Sequence, residues 1–483
     1  MKNSTELRGV VASVLLTQIQ FGVYHNGEKL PNIEETSAQL CVSIDTARAA
    51  YLRLKEEGYI TLSKNVGATV KVDYSPQETE GFIQTFFSLR RNAMIDLSKS
   101  MGALFGNAQL CGLKHASGDT LREMEQLYRE NNKPVPYSML EHLNQKYSSL
   151  GNTLLMRLVW QTFTFLHAPY FSITENLQYF DKSADYLPKV LSLCCNQDWT
   201  ALRGELDQSI ERLSLALTRF YAARITGPTA EKEITFSWSS YKKSRQLCYS
   251  LAMELLISIS RGLYPAGSLL PSQKELAAEK GVSVSTVRRA LGLLDSVGAI
   301  KSAKYMGTAV LPLDKATENS DFTKPVLQRR LMDMAESLQI FALSCKDVAC
   351  LTFSSFDSGS LQELCGKLKI HKQWKRGETL SYFILNLITE HAPYQAIRTV
   401  YSELLRQFFW AYALLGVNES QESVNAMYDP YFDMLIDSLE KQDLPRFSAS
   451  LEVFLLFELR KTVGSLIRLG IPGAESILIP DNA

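Results

Sequence analysis

Residues 262–300 read GLYPAGSLLPSQKELAAEKGVSVSTVRRALGLLDSVGAI, and residues 22–60 read GVYHNGEKLPNIEETSAQLCVSIDTARAAYLRLKEEGYI. Gly27 and Gly267, Pro31 and Pro271, Val42 and Val282, Arg48 and Arg288, and Gly67 and Gly307 pair at one offset of 240 residues. A repeat that long is not a solenoid unit, so it marks a duplicated domain or half-chain.

The later copy is the clearer one. Leu247, Leu251, Leu255 and Ile259 recur at helical spacing and predict an apolar stripe. Gly262, Pro265 and Gly267 then stop that helix. Ser272 with Glu275 three residues on predicts a capping box, and the helix it opens ends near Lys280-Gly281. Ser283 caps the next helix, expected from about Val284 to Val297. Two short strands follow, Ile300 to Ala303 and Thr308 to Leu311. The earlier copy repeats the plan. Val11, Leu15 and Ile19 form its stripe, Asn32 and Glu35 its capping box, Ser43 its third-helix cap, and Lys64–Gly67 its hairpin turn. Three helices followed by a hairpin is the order of a winged helix-turn-helix. Any one piece alone could be a plain helical hairpin, but two copies sharing caps, turn glycines and wing glycines select the winged form.

These residues resemble the GntR family of bacterial transcription regulators. The likeness lies in the run G-x-Y-x-x-G-x-x-L-P, then V-S-x-x-T-x-R-x-A-[YL], then a wing glycine, over roughly residues 5–72 and 245–312. The resemblance implies double-stranded DNA as partner, with the third helix in the major groove, where base edges are distinguishable, and the wing beside it. It assigns DNA contact in the first copy to Ser43, Asp45, Thr46, Arg48, Lys64, Asn65 and Gly67. In the second copy it assigns Lys274, Ser283, Ser285, Thr286, Arg288, Arg289, Lys304, Tyr305 and Gly307. The arginine usual after V-S is replaced by Ile44 and Val284, so sequence preference is expected to differ from the family's common operators. The copies also differ from each other at Glu34/Lys274, Asp45/Ser285 and Ala49/Arg289, which implies an asymmetric site if one chain acts as a pseudo-dimer.

Charge separates the heads further. Residues 1–75 hold eight basic and eight acidic residues, whereas residues 241–315 hold eleven basic and five acidic ones, a net of +6. Attraction to phosphate supplies most sequence-independent affinity, so the second head is expected to bind DNA strongly and the first weakly. A first head turned into a packing or dimerisation surface is the other reading.

Residues 78–225 and 316–475 read as bundles of amphipathic helices, for example Leu154–Phe165 and Ile397–Leu415. The bundles echo each other faintly, Gln197-Asp198 matching Gln442-Asp443 at an offset of 245. The expected fold is therefore mainly α: two winged helix-turn-helix heads (1–75 and 241–315), each followed by an all-helical bundle, made by internal duplication. Ile225–Ser240 is the expected joint between halves.

A wing followed by helices resembles the FadR-like branch of that family, whose bundles sense small acids or acyl thioesters, which implies a small-molecule effector. Aromatics that could line a pocket are Phe82, Phe86, Phe87, Trp160, Phe163, Phe165, Tyr170 and Phe171. In the second bundle they are Tyr394, Tyr401, Phe408, Phe409, Trp410 and Tyr412. Many members of the branch hold a metal with an aspartate and three histidines. Here the histidines are His25, His115, His142, His167, His371 and His391, and none stands near Leu187 or Phe432, where the pattern would place one. His142 falls one residue from an expected ligand position. No metal and no cofactor are expected.

The bulk numbers agree with this class. The 483 residues carry no net charge and 46% hydrophobic residues, as in an ordinary globular chain of about three or four domains. No apolar run approaches the roughly 18–20 residues that span a bilayer, so no membrane partner is expected. The N-terminus lacks the pattern of a signal peptide. Eight scattered cysteines without a CxxC pair favour reduced thiols and a cytoplasmic location. No P-loop, no GxGxxG after a strand, no HExxH and no nucleophile elbow is present, which speaks against an enzyme. Two readings remain at this stage: a transcription regulator modulated by a ligand, and an architectural DNA-binding or interaction protein without ligand sensing. Homodimerisation stays open.

Overall fold

The computed structural model describes residues 4–63, 67–130, 135–180, 186–227, 232–238, 243–303, 307–312, 315–415 and 421–479. The chain divides into two compact units. One comprises Met1–Gly151, Met156–Ser237 and Tyr394–Ala396; the other comprises Asn152–Leu155, Trp238–Pro393 and Ile397–Ala483.

The first head consists of α1 (Ser4–Gln20), α2 (Ile33–Gln39), α3 (Ile44–Glu56) and the hairpin β1 (Ile60–Ser63) and β2 (Gly67–Val70). Val11, Leu15, Ile19, Leu30, Tyr51, Leu54, Ile60 and Val70 form its core. The capping box of Asn32 and Glu35 is present, with Asn32 Oδ1 accepting from Glu35 N at 2.7 Å and Glu35 accepting from Asn32 N at 2.8 Å. Cys41 takes a left-handed backbone, φ 52°, in the turn between α2 and α3.

Beyond the hairpin come α4 (Pro76–Ser88), α5 (Arg91–Lys114), α6 (Gly118–Glu130), α7 (Val135–Tyr147), α8 (Thr153–Thr162), α9 (Ala168–Phe171), α10 (Tyr186–Cys195) and α11 (Trp199–Ala223). Long helices α5 and α11 pack on each other through buried residues such as Met94, Leu97 and Met101 on one side and Leu213, Leu217 and Phe220 on the other. Gly112 lets α7 approach α5: a Cβ there would lie 2.0 Å from the Lys146 carbonyl oxygen. The helix expected over Leu154–Phe165 is α only to Thr162, and Phe163–His167 widens to a π-helical turn. Pro169 supplies the reason, because it has no N–H and its ring crowds the carbonyl four residues back.

The head is joined to these helices. Trp160 Nε1 donates to the Leu40 carbonyl at 2.8 Å, and Tyr137 OH donates to Gln18 Oε1 at 2.8 Å. Within the expected joint, Ile225–Ser240, several residues make contacts in the first unit. Arg91 Nη2 donates to the Ile225 carbonyl at 2.8 Å, Ile234 N donates to the Leu89 carbonyl at 2.7 Å, and Phe236 sits edge-on to Phe165 at 5.5 Å.

The second unit repeats the plan with α12 (Lys243–Ser260), α13 (Gln273–Glu279), α14 (Val284–Ser296), β3 (Ile300–Ala303) and β4 (Gly307–Val310). Strand register is conserved between the copies: Ile60 pairs Val70 as Ile300 pairs Val310. The return strand starts at Gly307, one residue before the expected Thr308, because Gly307 already pairs with Ala303. Leu251, Leu255 and Ile259 are buried as the stripe predicts, but Leu247 is 53% exposed and stands outside the core.

The helical part contains α15 (Ala316–Asn319), α16 (Pro325–Phe353), α17 (Ser358–Gln373), α18 (Leu380–His391), α19 (Gln395–Leu405), α20 (Gln421–Glu440) and α21 (Leu444–Arg468). Helix α16 packs on α21 as α5 packs on α11. The helix expected over Ile397–Leu415 is α19 followed by a 3-10 stretch from Arg406 to Leu414. Duplication of the bundles is visible in one turn. Gln197 and Gln442 both have positive φ, 55° and 54°, and the next residue caps a 25-residue helix in each case. Asp198 Oδ1 accepts from Ala201 N, and Asp443 Oδ1 from Arg446 N, both at 3.0 Å.

Candidate nucleic-acid interface

The elements that would meet a DNA groove are the third helices, α3 and α14, and their N-terminal turns. In α14, Ser283 Oγ accepts from Thr286 N at 3.2 Å and lies 2.9 Å from both the Ser285 and Thr286 hydroxyls. In α3, Ser43 Oγ accepts from Thr46 N at 3.2 Å and lies 2.8 Å from its hydroxyl. The hydroxyls named from sequence are thus brought together as N-caps, which satisfy backbone donors that would otherwise be orphaned. Thr46 is only 4% exposed, so its side chain serves the cap.

Charge distinguishes the two helix starts. Asp45 occupies the first turn of α3, and Arg48 Nη1 lies 3.4 Å from its carboxylate. Both side chains remain open to solvent, at 54% for Arg48 and 81% for Asp45. No acidic residue occupies the first turn of α14. Arg288 Nε instead approaches Gln273 Oε1 at 3.4 Å, and among the described residues no carboxylate pairs with it. The positive end of the α14 dipole and a cation held by a neutral neighbour therefore face outward together. Sequence reasoning missed Gln273; the signal is its replacement by Ile33 in the first copy.

Lys274 is exposed on the first turn of α13, beside Gln273. Lys280 is engaged within the head, 2.8 Å from Glu254 and 2.9 Å from Glu279, and hydrogen bonds to these carboxylates raise its pKa. Arg289 is exposed but lies a helical step, about 100°, from Arg288. It borders a cleft of about 970 Å³ with Tyr249, Arg330 and Trp410. The structure thus separates two arginines that stand adjacent in sequence. Gly67 and Gly307 open the return strands with φ 85° and 89°. Lys64, Asn65, Lys304 and Tyr305 lie outside the described residues.

No group of three or more metal-ligating side chains occurs among the described residues. His167 is buried against Phe163 and Phe171, and burial holds its pKa down at about 4. His142 is likewise lowered to about 4 by burial, then by the charge of Lys146. His371 instead hydrogen-bonds Thr379 at 2.7 Å. No helix among the described residues is long and apolar enough to cross a membrane.

Comparison with known proteins addresses the same two regions. The family model of bacterial regulatory proteins, gntR family, matches residues 7–70 and 249–310. A curated relative, the uncharacterized HTH-type transcriptional regulator YieP of Escherichia coli (strain K12), is 37% identical over 68 residues. The match covers 14% of this chain and 30% of that protein, so it spans less than a third of the relative's length. Among solved structures, Streptococcus agalactiae GntR is 18% identical, with 44% of this chain and 99% of that chain covered and a TM-score of 0.19. A GntR family member from Pseudomonas syringae pv. tomato str. DC3000 is also 18% identical, with 49% and 92% covered and a TM-score of 0.19. The identification rests on the two family matches and on the heads described above. Residues 7–70 and 249–310 thus form, in tandem, two winged-helix domains of the gntR family of bacterial regulatory proteins.

Proposed function

We propose that this chain is a cytoplasmic transcription regulator that reads an asymmetric DNA site with two unequal heads, as a pseudo-dimer within one polypeptide. Residues 1–75 and 241–315 are the heads, and residues 78–225 and 316–475 bind an effector or mediate association. The observation that carries the inequality is the state of the two matched arginines: Arg48 is partnered by Asp45, whereas Arg288 is held by the neutral Gln273. An outward arginine without a carboxylate is free to meet guanine or phosphate, and a good base contact discriminates by about 1–3 kcal/mol. Lys274, Ser283, Ser285 and Arg288 carry the stronger half-site. Ser43, Asp45 and Arg48 carry the weaker one. Arg289 adds charge from its own face of α14.

The effector reading is supported by the contacts between head and helices within the first unit. The Trp160–Leu40 and Tyr137–Gln18 hydrogen bonds connect the helical segment to α1 and to the turn before the recognition helix. A ligand with unequal affinity for two arrangements of those contacts shifts DNA affinity by that difference.

In-vitro selection of DNA sites by the full chain at fixed salt tests this. A bipartite, non-palindromic motif, of which Arg288→Ala blurs one half only, is the expected result. A clean palindrome would mean that two chains meet and each contributes one head, and the pseudo-dimer reading would fail.

A further inference from the structure

Each compact unit includes a short piece of chain from the other half of the sequence: Tyr394–Ala396 belongs to the first unit and Asn152–Leu155 to the second. Both pieces are helix starts, of α19 at Gln395 and of α8 at Thr153. The N–H groups of a first helical turn have no partner within their helix and need an acceptor from elsewhere. In both cases a long helix from the opposite half of the sequence supplies it. Asp96 of α5 accepts from Gln395 N and from Ala396 N, each at 2.7 Å. Glu336 of α16 accepts from Leu154 N at 2.8 Å and from the Thr153 hydroxyl at 2.9 Å. The two carboxylates stand 240 residues apart, the offset that relates the heads. Each meets the positive end of a helix dipole.

The surroundings fix both contacts. Asn152 Oδ1 accepts from Leu155 N at 2.7 Å, while its amide donates to the Glu336 carbonyl and to Gln339 Oε1, both at 2.8 Å. Arg329 Nη2 donates to the Thr153 hydroxyl at 2.9 Å. Asn152, Leu154, Glu336 and Gln339 are buried, as are Ala396 and Ile397 at the other helix start.

Both capped helices run on to a head. Helix α8 carries Trp160, whose indole donates to the Leu40 carbonyl in the first head, and α9 beyond it packs on α1. Helix α19 passes directly into the 3-10 stretch Arg406–Leu414. There the Trp410 ring lies edge-on to Tyr249 of α12 in the second head, with centroids 6.1 Å apart. We propose that Asp96 and Glu336 are positioning residues that couple the heads crosswise. Asp96, in the first half of the sequence, fixes the helix that supports the second head. Glu336, in the second half, fixes the helix that supports the first. Losing a cap frays a helix start, and a continuous helix carries that change to what it supports. The consequence for DNA, that the two heads respond together, rests on the two-headed reading above.

Peptide-resolved hydrogen exchange of the full chain without DNA tests the crossing. Asp96→Ala is expected to speed exchange about five-fold in residues 395–414 and in α12, and to leave α1 to α3 as they were. Glu336→Ala is expected to speed it similarly in α8 and in α1 to α3, and to leave α12 to α14 as they were. A merely structural role would loosen the helix that carries the carboxylate and the head of its own half. Asp96→Asn and Glu336→Gln keep one acceptor and the side-chain shape. They are expected to show the same crossed pattern more weakly, and they carry the test if either alanine chain fails to fold. Exchange that quickens in the head of the same half, in both heads alike, only at the capped turn, or nowhere would overturn the proposal. Crossed exchange together with a clean palindrome in site selection would support the coupling and defeat the two-headed reading alone.

Discussion

Arg48 of α3 lies 3.4 Å from Asp45, one turn earlier on the same helix, while its counterpart Arg288 has Ser285 at the matching position and its Nε lies 3.4 Å from Gln273 Oε1. This substitution changes the charge presented at the first turn of each third helix. Asp45 places a negative charge at the positive end of α3, stabilising the helix and opposing phosphate at once. Exposed pairs of this kind contribute little to stability, roughly 0–1 kcal/mol, so the effect of changing it falls on binding. In a chain already carrying Arg288→Ala, Asp45→Ser is expected to tighten the remaining DNA binding about five-fold and to steepen its salt dependence by about one ion. Fluorescence anisotropy at two salt concentrations decides; unchanged affinity would mean that α3 does not meet DNA.

Cys41 and Gly281 occupy the same turn with φ 52° and 62°. A non-glycine residue in this left-handed region is strained by roughly 1–2 kcal/mol, a penalty glycine avoids. Cys41→Gly is therefore expected to stabilise the first head by about 1 kcal/mol, less the contact its thiol makes with the Ala38 carbonyl at 3.7 Å. Urea unfolding checks this, and Gly281→Ala serves as the mirror experiment with the opposite sign.

Trp160→Phe keeps the ring buried but removes the indole donor, leaving the Leu40 carbonyl unpartnered by it. A loss of about 1–3 kcal/mol is expected, the range for a buried polar group left unmade. Hydrogen exchange at the amides of α2 and α3 should quicken, while secondary structure by circular dichroism stays the same.

His167 stays neutral in the folded protein because burial lowers its pKa to about 4. The unfolded chain takes up that proton near the ordinary histidine value of about 6.5, so between these values the unfolded state binds more protons than the folded one. Stability is therefore complete above about pH 6.5 and declines as pH falls toward 4. His167→Asn, measured by chemical unfolding at pH 7 and pH 5, is expected to flatten the slope. A slope unchanged by the substitution would remove His167 as its source.

Sequence alone determined the heads. Caps, turn glycines and apolar stripes act over three to five residues, so Asn32 with Glu35, Ser272 with Glu275, the Ser283 cap and the wing glycines could be read locally and reappear in the fold. The repeat of Gln197-Asp198 at Gln442-Asp443 was legible for the same reason: a positive φ and an N-cap are properties of adjacent residues. The tertiary structure decided what depends on residues far apart in the chain. It placed Leu247 outside the core, because burial requires a neighbouring element and not merely a period. It turned Arg289 toward a cleft with Arg330 and Trp410, set Gln273 against Arg288, and joined Trp160 to Leu40. It also set Arg330 3.0 Å from the Asp333 carboxylate but Arg90 3.8 Å over the Phe86 ring, since a charge is defined by what packs around it.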